Sequence, residues 1–207
     1  MKKILIHGLG QDQTSWNKTL LYMNDDEDIL CPNIFSLLNG KKVTYSNLYQ
    51  AFKEYCNHID GKIHLCGISL GGILALNYTL DFPNKVNSLV LIGTPYKIPK
   101  VMLTIQNIIF RFLPSSSFKS MKINKKDVLT LCNSMKILDF SGQIQKVKCS
   151  TLIICGKKDK VNLKSSKYYF ENIKGAKLQL IEDIGHIVNE ENPKILASLL
   201  SNFYIKY

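Results

Sequence analysis

The strongest constraint on this chain is a repeated change of hydrophobic period. Short apolar runs, several rich in β-branched residues, recur at 4–7, 28–31, 63–67, 88–92, 151–155 and 177–181. Longer amphipathic stretches fall between them at 14–23, 45–58, 70–81, 163–172 and 193–203. Strand-length and helix-length patterns in alternation argue for βαβ units and a parallel sheet. Runs that are apolar throughout suit strands covered on both faces. The expected class is therefore α/β, with a mostly parallel central sheet and helices on both faces. The last helix also carries its own start signal, because Asn192 can cap it and Pro193 suits its first position.

One interval breaks the alternation. Residues 96–148 contain helix-like segments at 101–113 and 124–138 but no convincing strand, and Pro95, Pro99, Pro114 and the Ser115–Ser117 run punctuate the region. The expected organisation is a core of residues 1–95 and 149–207 with a small helical cap inserted at 96–148. Within 101–113, Thr104, Asn107 and Arg111 share one face of an otherwise apolar helix. Its apolar face either packs on the domain below or lines a pocket for an uncharged part of a substrate.

Charge concentrates in the same interval. It holds ten basic residues against two acidic ones, which accounts for +8 of the chain's formal charge of +11. Arg111 is the one arginine among 27 basic residues. Base reading and phosphate clamping rely on bidentate guanidinium contacts, so a nucleic-acid partner is not expected. The lysines either form a solvated surface or attract an anionic substrate. The six cysteines make no CxxC pair and no zinc-like cluster, which suits a reducing compartment. The opening MKKILIHGLGQD turns polar too soon for a signal peptide, and no apolar stretch approaches 18 residues. A cytoplasmic location without stable membrane insertion is expected; oligomeric state is not legible.

The residues that carry chemistry begin with Gly67-Ile68-Ser69-Leu70-Gly71, a G-x-S-x-G pattern between an apolar strand and a helical run. That setting exposes a serine hydroxyl on a strained turn at a helix N-terminus. A serine needs a base. Of the four histidines, His186 lies in a loop after the last expected strand, at the sheet edge where open α/β folds place their sites. His7 ends the first strand, His58 lies in a helix and His64 inside a strand. The carboxylate that orients the base is read as Asp159, directly after the strand at 151–155, with Asp183 taken as a loop residue. An oxyanion hole would draw on the backbone N–H groups of Leu70 and of Leu9, in the loop His7-Gly8-Leu9-Gly10. No metal or organic cofactor is implied.

Four elements in order, HGLG, GISLGG, GKKD and GH, resemble the α/β-hydrolase fold superfamily over essentially the whole chain. The order of Ser69, Asp159 and His186 is that family's order of nucleophile, acid and histidine. The resemblance implies a helical cap at 96–148. It also implies a sheet shortened at its N-terminal side, because the chain starts at what would be the family's third strand. Serine at 69 separates it from relatives with an aspartate nucleophile, the dehalogenases and epoxide hydrolases, and from those with cysteine. The resemblance implies hydrolysis of a small or medium carboxylic ester, with an ester or acyl compound, neutral or anionic, as the partner. Carbon–carbon bond hydrolases, thioesterases, acyltransferases and lyase-like enzymes of menaquinone synthesis share the same triad. Relatives acting on polycarboxylated substrates gather arginines, of which this chain has only Arg111, with lysines as partial substitutes. A non-catalytic ligand-binding protein on this fold is the alternative of another class. The substrate-binding residues are unknown at this stage.

Overall fold

Period-2 alternation along the strands decides the layering. In a computed structural model that describes residues 1–23, 28–98 and 123–206, six strands form one parallel sheet. They are β1 (Lys3–Ile6), β2 (Ile29–Leu30), β3 (Ile63–Ile68), β4 (Val86–Ile92), β5 (Ser150–Gly156) and β6 (Lys177–Ile181), in the order β2-β1-β3-β4-β5-β6. Every expected strand is present. β2 is cut to two residues, and β6, at the opposite edge, buries only Ile181.

Ile4, Ile6, Ile63, Leu65, Leu89, Leu91 and Ile153 point into one core. Leu5, Cys66, Ile68, Val90, Ile92, Leu152 and Ile154 point into the other. Each fully buried Ile or Leu contributes roughly 1.5–3 kcal/mol, which is why the central strands carry no polar face. The first core is closed by helices α2 (Tyr45–Asn57), α3 (Leu70–Asp81), α4 (Lys125–Met135) and α5 (Lys160–Asn172). The second is closed by Trp16, by the short helix α6 (Val188–Glu191) through Val188, and by α7 (Pro193–Tyr204). Asn192 Oδ1 accepts the Ile195 amide at 3.1 Å with Pro193 at the first helical position, as the sequence predicts.

One local feature differs from expectation. The helix expected over 14–23 is a 3₁₀ turn, Gln13–Trp16, followed by a single turn of helix α1 (Asn17–Leu20). Asp12 takes the Thr14 amide at 2.8 Å and so starts the tighter turn. In the interval between β4 and β5, α4 falls within the helix expected at 124–138. Asn124 and Asp127 form its capping box, and Val128, Leu131, Cys132 and Met135 enter the first core. The Tyr45 amide at the start of α2 donates to Ser134 Oγ at 2.8 Å. Residues 96–98 and 138–140 run antiparallel at the base of the interval, with Phe140 N donating to Tyr96 O and Ile98 N to Leu138 O. The segment 101–113, with Arg111, lies outside the described residues.

Candidate active site

The C-terminal ends of β3, β4 and β5 and the loop after β6 meet at one edge of the sheet. Ser69 follows β3 with φ 55° and ψ −115°, a left-handed conformation that costs a residue with a Cβ of order 1–3 kcal/mol. Close packing on both sides enforces it. A Cβ on Gly67 would sit 2.3 Å from the Gly71 backbone, and one on Gly71 would sit 2.2 Å from Ile6 O. Ser69 occupies the N-cap of α3, yet its side chain makes no cap bond, so the hydroxyl is not consumed by the helix. The first bond of the helix runs from Ile73 N to Ser69 O. The amides of Leu70, Gly71 and Gly72 therefore lie ahead of the ladder, at the positive end of α3.

Asp159 and His186 are brought together by pairing between two loops. Lys157 N donates to Ile181 O and Lys158 N to Ile184 O, so the turn after β5 lies along the loop after β6. Asp159 is then the N-cap of α5, and His186 Nδ1 stands 2.7 Å from its Oδ2. A carboxylate can only accept, so Nδ1 carries the proton and Nε2 is left as the basic nitrogen. The Asp159 side chain is 5 % exposed and that of His186 39 %. Burial works to raise the Asp159 pKa. Hydrogen bonds from His186 and Asn162, with the His186 charge, outweigh it and hold the carboxyl below the usual carboxylate range. Gly93 shows how near these groups are to Ser69. Ser69 N donates to Ile92 O at 2.9 Å, and a Cβ on the next residue, Gly93, would lie 3.0 Å from His186 Nδ1.

The loop after β1 completes the edge. A Cβ on Gly8 would lie 3.4 Å from Ser69 Cβ, so the loop that carries Leu9 passes directly beside the serine. The Gly8 amide is already engaged by Gln11 Oε1 at 3.1 Å. His7 is buried with both ring nitrogens occupied. Nδ1 donates to Gly8 O at 2.9 Å and Nε2 accepts the Ile34 amide at 3.2 Å. Burial lowers its pKa to about 4, against smaller opposing effects of Gly8 and Asp12. His64 is buried against Ser88 Oγ at 2.7 Å, and His58 caps α2. Asp183 pairs with Lys158 at 3.2 Å and takes no part in the Asp159–His186 pair. Burial pushes the Cys155 thiol, the cysteine nearest this edge along β5, up to about 11.

Three side-chain tethers at this edge escaped sequence reasoning. Gln11 Nε2 donates to Asn189 Oδ1 at 3.1 Å and to Glu190 Oε1 at 2.7 Å, tying the β1 loop to α6. Glu191 receives the amides on either side of His186, Gly185 N at 2.7 Å and Ile187 N at 3.0 Å. Asn162 Nδ2 stands 2.9 and 3.1 Å from the two Asp159 oxygens. The clearest sequence signal was Asp159-x-x-Asn162, a helix-capping spacing. The Glu191 contacts span only four and six positions but follow no capping spacing, and those of Gln11 join residues far apart in the chain. Among the described residues no group of three His, Cys, Asp or Glu could hold a metal ion, and no helix is long and apolar enough to cross a membrane.

A family model described as the alpha/beta hydrolase fold matches residues 4–120, from β1 through the serine turn and β4 into the interval beyond. The chain belongs to the alpha/beta hydrolase fold family. This α/β hydrolase is 27 % identical to the 2-hydroxy-6-oxononadienedioate/2-hydroxy-6-oxononatrienedioate hydrolase of Escherichia coli O81 (strain ED1a), covering 97 % of this chain and 85 % of that one. The match extends over 251 positions, more than the 207 residues of this chain, so the relative carries segments that this chain does not have. In fold it is similar to an alpha/beta hydrolase enzyme from the metagenome of sediments of the Mar Chica lagoon, Morocco. The TM-score is 0.74 at 23 % identity, covering 99 % of this chain and 91 % of that one. It is also similar to a hydrolase from Oleispira antarctica, with a TM-score of 0.79 at 15 % identity over 100 % and 92 % of the two chains.

Proposed function

We propose that the protein is a serine hydrolase that cleaves small or medium carboxylic esters through an acyl-enzyme on Ser69. The observation that carries the reading is the 2.7 Å Asp159–His186 bond. It leaves Nε2 basic, on the same sheet edge as a serine whose turn keeps the hydroxyl out of the helix cap. In the first half of the reaction Ser69 Oγ forms a bond to the ester carbonyl carbon while its proton passes to His186 Nε2. The carbonyl becomes an oxyanion, received by the amides of Leu70 and Leu9. Collapse breaks the bond to the alcohol oxygen, which leaves with the proton held by His186. Water repeats the sequence on the acyl-enzyme, releasing the carboxylic acid and restoring Ser69. Asp159 keeps the imidazole in the Nδ1–H form throughout. These steps need neither metal nor organic cofactor. Residues 96–148 would form the cap over this edge, and the substrate would be a small acyl compound met in the cytoplasm.

A second reading is hydrolysis of a carbon–carbon bond in a 2-hydroxy-6-oxo acid. The Escherichia coli relatives favour it, since the similarity covers nearly the whole chain. The same panel tests both. Wild type and Ser69→Ala are assayed with a serine-directed fluorophosphonate, with acyl esters of graded length and charge, and with a 2-hydroxy-6-oxo-dienoate. The ester reading expects Ser69 labelling and ester turnover that Ser69→Ala loses by several orders of magnitude. Turnover of the dienoate well above every ester would favour the carbon–carbon reading. Unlabelled Ser69, with no turnover by the folded protein, would favour a non-catalytic binder.

A further inference from the structure

Asn162 is almost wholly buried on the first turn of α5, and its amide lies in the angle between the Asp159 carboxylate and the edge of the His186 ring. Nδ2 is 3.1 Å from Asp159 Oδ1, 2.9 Å from Oδ2 and 3.2 Å from His186 Nδ1. The Asn162 backbone amide also donates to Oδ1, at 3.2 Å. The carboxylate faces one imidazole on Oδ2 and is otherwise held by this one residue. Which end of the Asn162 amide faces inward follows from chemistry, because its oxygen would repel the carboxylate. That oxygen is left buried without a hydrogen-bond partner among the described residues. A buried acceptor left unpaired is costly, and an apolar side chain of similar size would avoid it. The α5 N-cap also needs only the Asn162 backbone amide, not its side chain. Capping of the helix therefore does not explain the carboxamide; its contacts with both Asp159 oxygens do.

We propose that Asn162 is a positioning residue for the Asp159–His186 pair, its carboxamide holding the carboxylate in the orientation that meets the imidazole. The inference rests on the Ser69–His186–Asp159 reading above for its consequence in catalysis, but not for its geometry. The two Asn162 donors spread the carboxylate charge over bonds other than the one to His186. Without them Asp159 becomes the stronger partner of the imidazolium, so His186 holds its proton to higher pH. It also gains freedom to rotate, so the base meets Ser69 in fewer productive orientations.

Of the other charged groups on the surrounding elements, which an Asn162 variant leaves in place, Lys160 and Lys164 of α5 are exposed. Lys157 pairs with Glu182 and Lys158 with Asp183 on the turn and loop. Glu190 meets Gln11, and Glu191 holds the Gly185 and Ile187 amides.

The test uses Asn162→Leu and Asn162→Ala, each checked for folding by circular dichroism, with two readouts. Nuclear magnetic resonance follows the His186 ring through a pH titration. Fluorophosphonate labelling of Ser69 is timed across the same pH range. The expected result is an upward shift of the His186 midpoint by about half a unit or more, with the acidic limb of labelling moving with it. The labelling rate at its optimum should fall about tenfold. A His186 titration superimposable on wild type in a folded variant overturns the proposal, whatever the labelling does. If the wild type is never labelled but the midpoint shifts, Asn162 positions the pair and the serine-hydrolase reading is what fails. Two variants of different size keep the test alive if one of them does not fold.

Discussion

His7→Gln should flatten the acid dependence of stability, because His7 is a histidine that cannot be charged where it sits. Its Nε2 accepts the Ile34 amide and its Nδ1 already donates to Gly8 O. A second ring proton would therefore face the Ile34 N–H, donor against donor, at a fully buried position. The native pKa is lowered from 6.5 to about 4, mainly by burial. The unfolded chain takes up a proton near pH 6.5 and the native protein does not until about pH 4. This histidine's contribution is thus fully present above about pH 6.5 and is lost as pH falls toward 4. The two values imply a loss of about 2 kcal/mol between pH 7 and pH 5, and about 3 kcal/mol once both states are titrated. Glutamine can accept the Ile34 amide through Oε1 and does not titrate. Urea unfolding of wild type and His7→Gln at pH 7, 6 and 5 gives the comparison, and all other ionisable groups cancel in the difference of slopes. Parallel stability curves for the two proteins, or a His7 ring resonance that titrates near pH 6.5 in the native state, would refute the reasoning. His7 anchors the loop beside Ser69, so the same titration is expected to end activity at acid pH before global unfolding does.

Three further outcomes are expected. Gly71→Ala should cost at least about 2 kcal/mol by thermal or urea unfolding, because its Cβ would meet the Ile6 carbonyl at 2.2 Å. Gly142→Ala, with nothing within 4 Å, should stay within about 0.5 kcal/mol of wild type. If residues 96–148 overhang the site with their +8, anionic esters should show higher kcat/KM than matched neutral ones at about 20 mM salt, and the advantage should shrink at about 500 mM. Equal preference at both salts would leave those lysines as a solvated surface.

The strands were legible from the sequence because each is a short, largely apolar run between turn or helix signals, and for β3, β4 and β5 burial on both faces admits nothing else. That Ser69, Asp159 and His186 come to one edge was legible for a related reason. Each follows a strand that had to end at the same edge, and each sits in a local pattern with a steric or chemical meaning. What the sequence determined is therefore whatever local pattern and period decide: strand positions, their parallel arrangement, and the edge where the chemistry gathers. Tertiary structure decided the contacts between residues distant in the chain. Gln11 reaches Asn189 and Glu190 only because β1 and the loop after β6 finish on the same side. Nothing in GQDQ or HIVNEEN announces such a pairing. Local hydrogen bonding could also override period, as where Asp12 tightened an expected helix into a 3₁₀ turn. The helix α4 shows the same limit at the level of packing. Its apolar face was readable, but whether that face covers a site or fills a core depends on which surface lies opposite. Here Tyr45 of α2 and the first core stand opposite it, so Val128, Leu131 and Met135 are buried. Period tells a helix which side to hide; only the assembled fold supplies what it hides against.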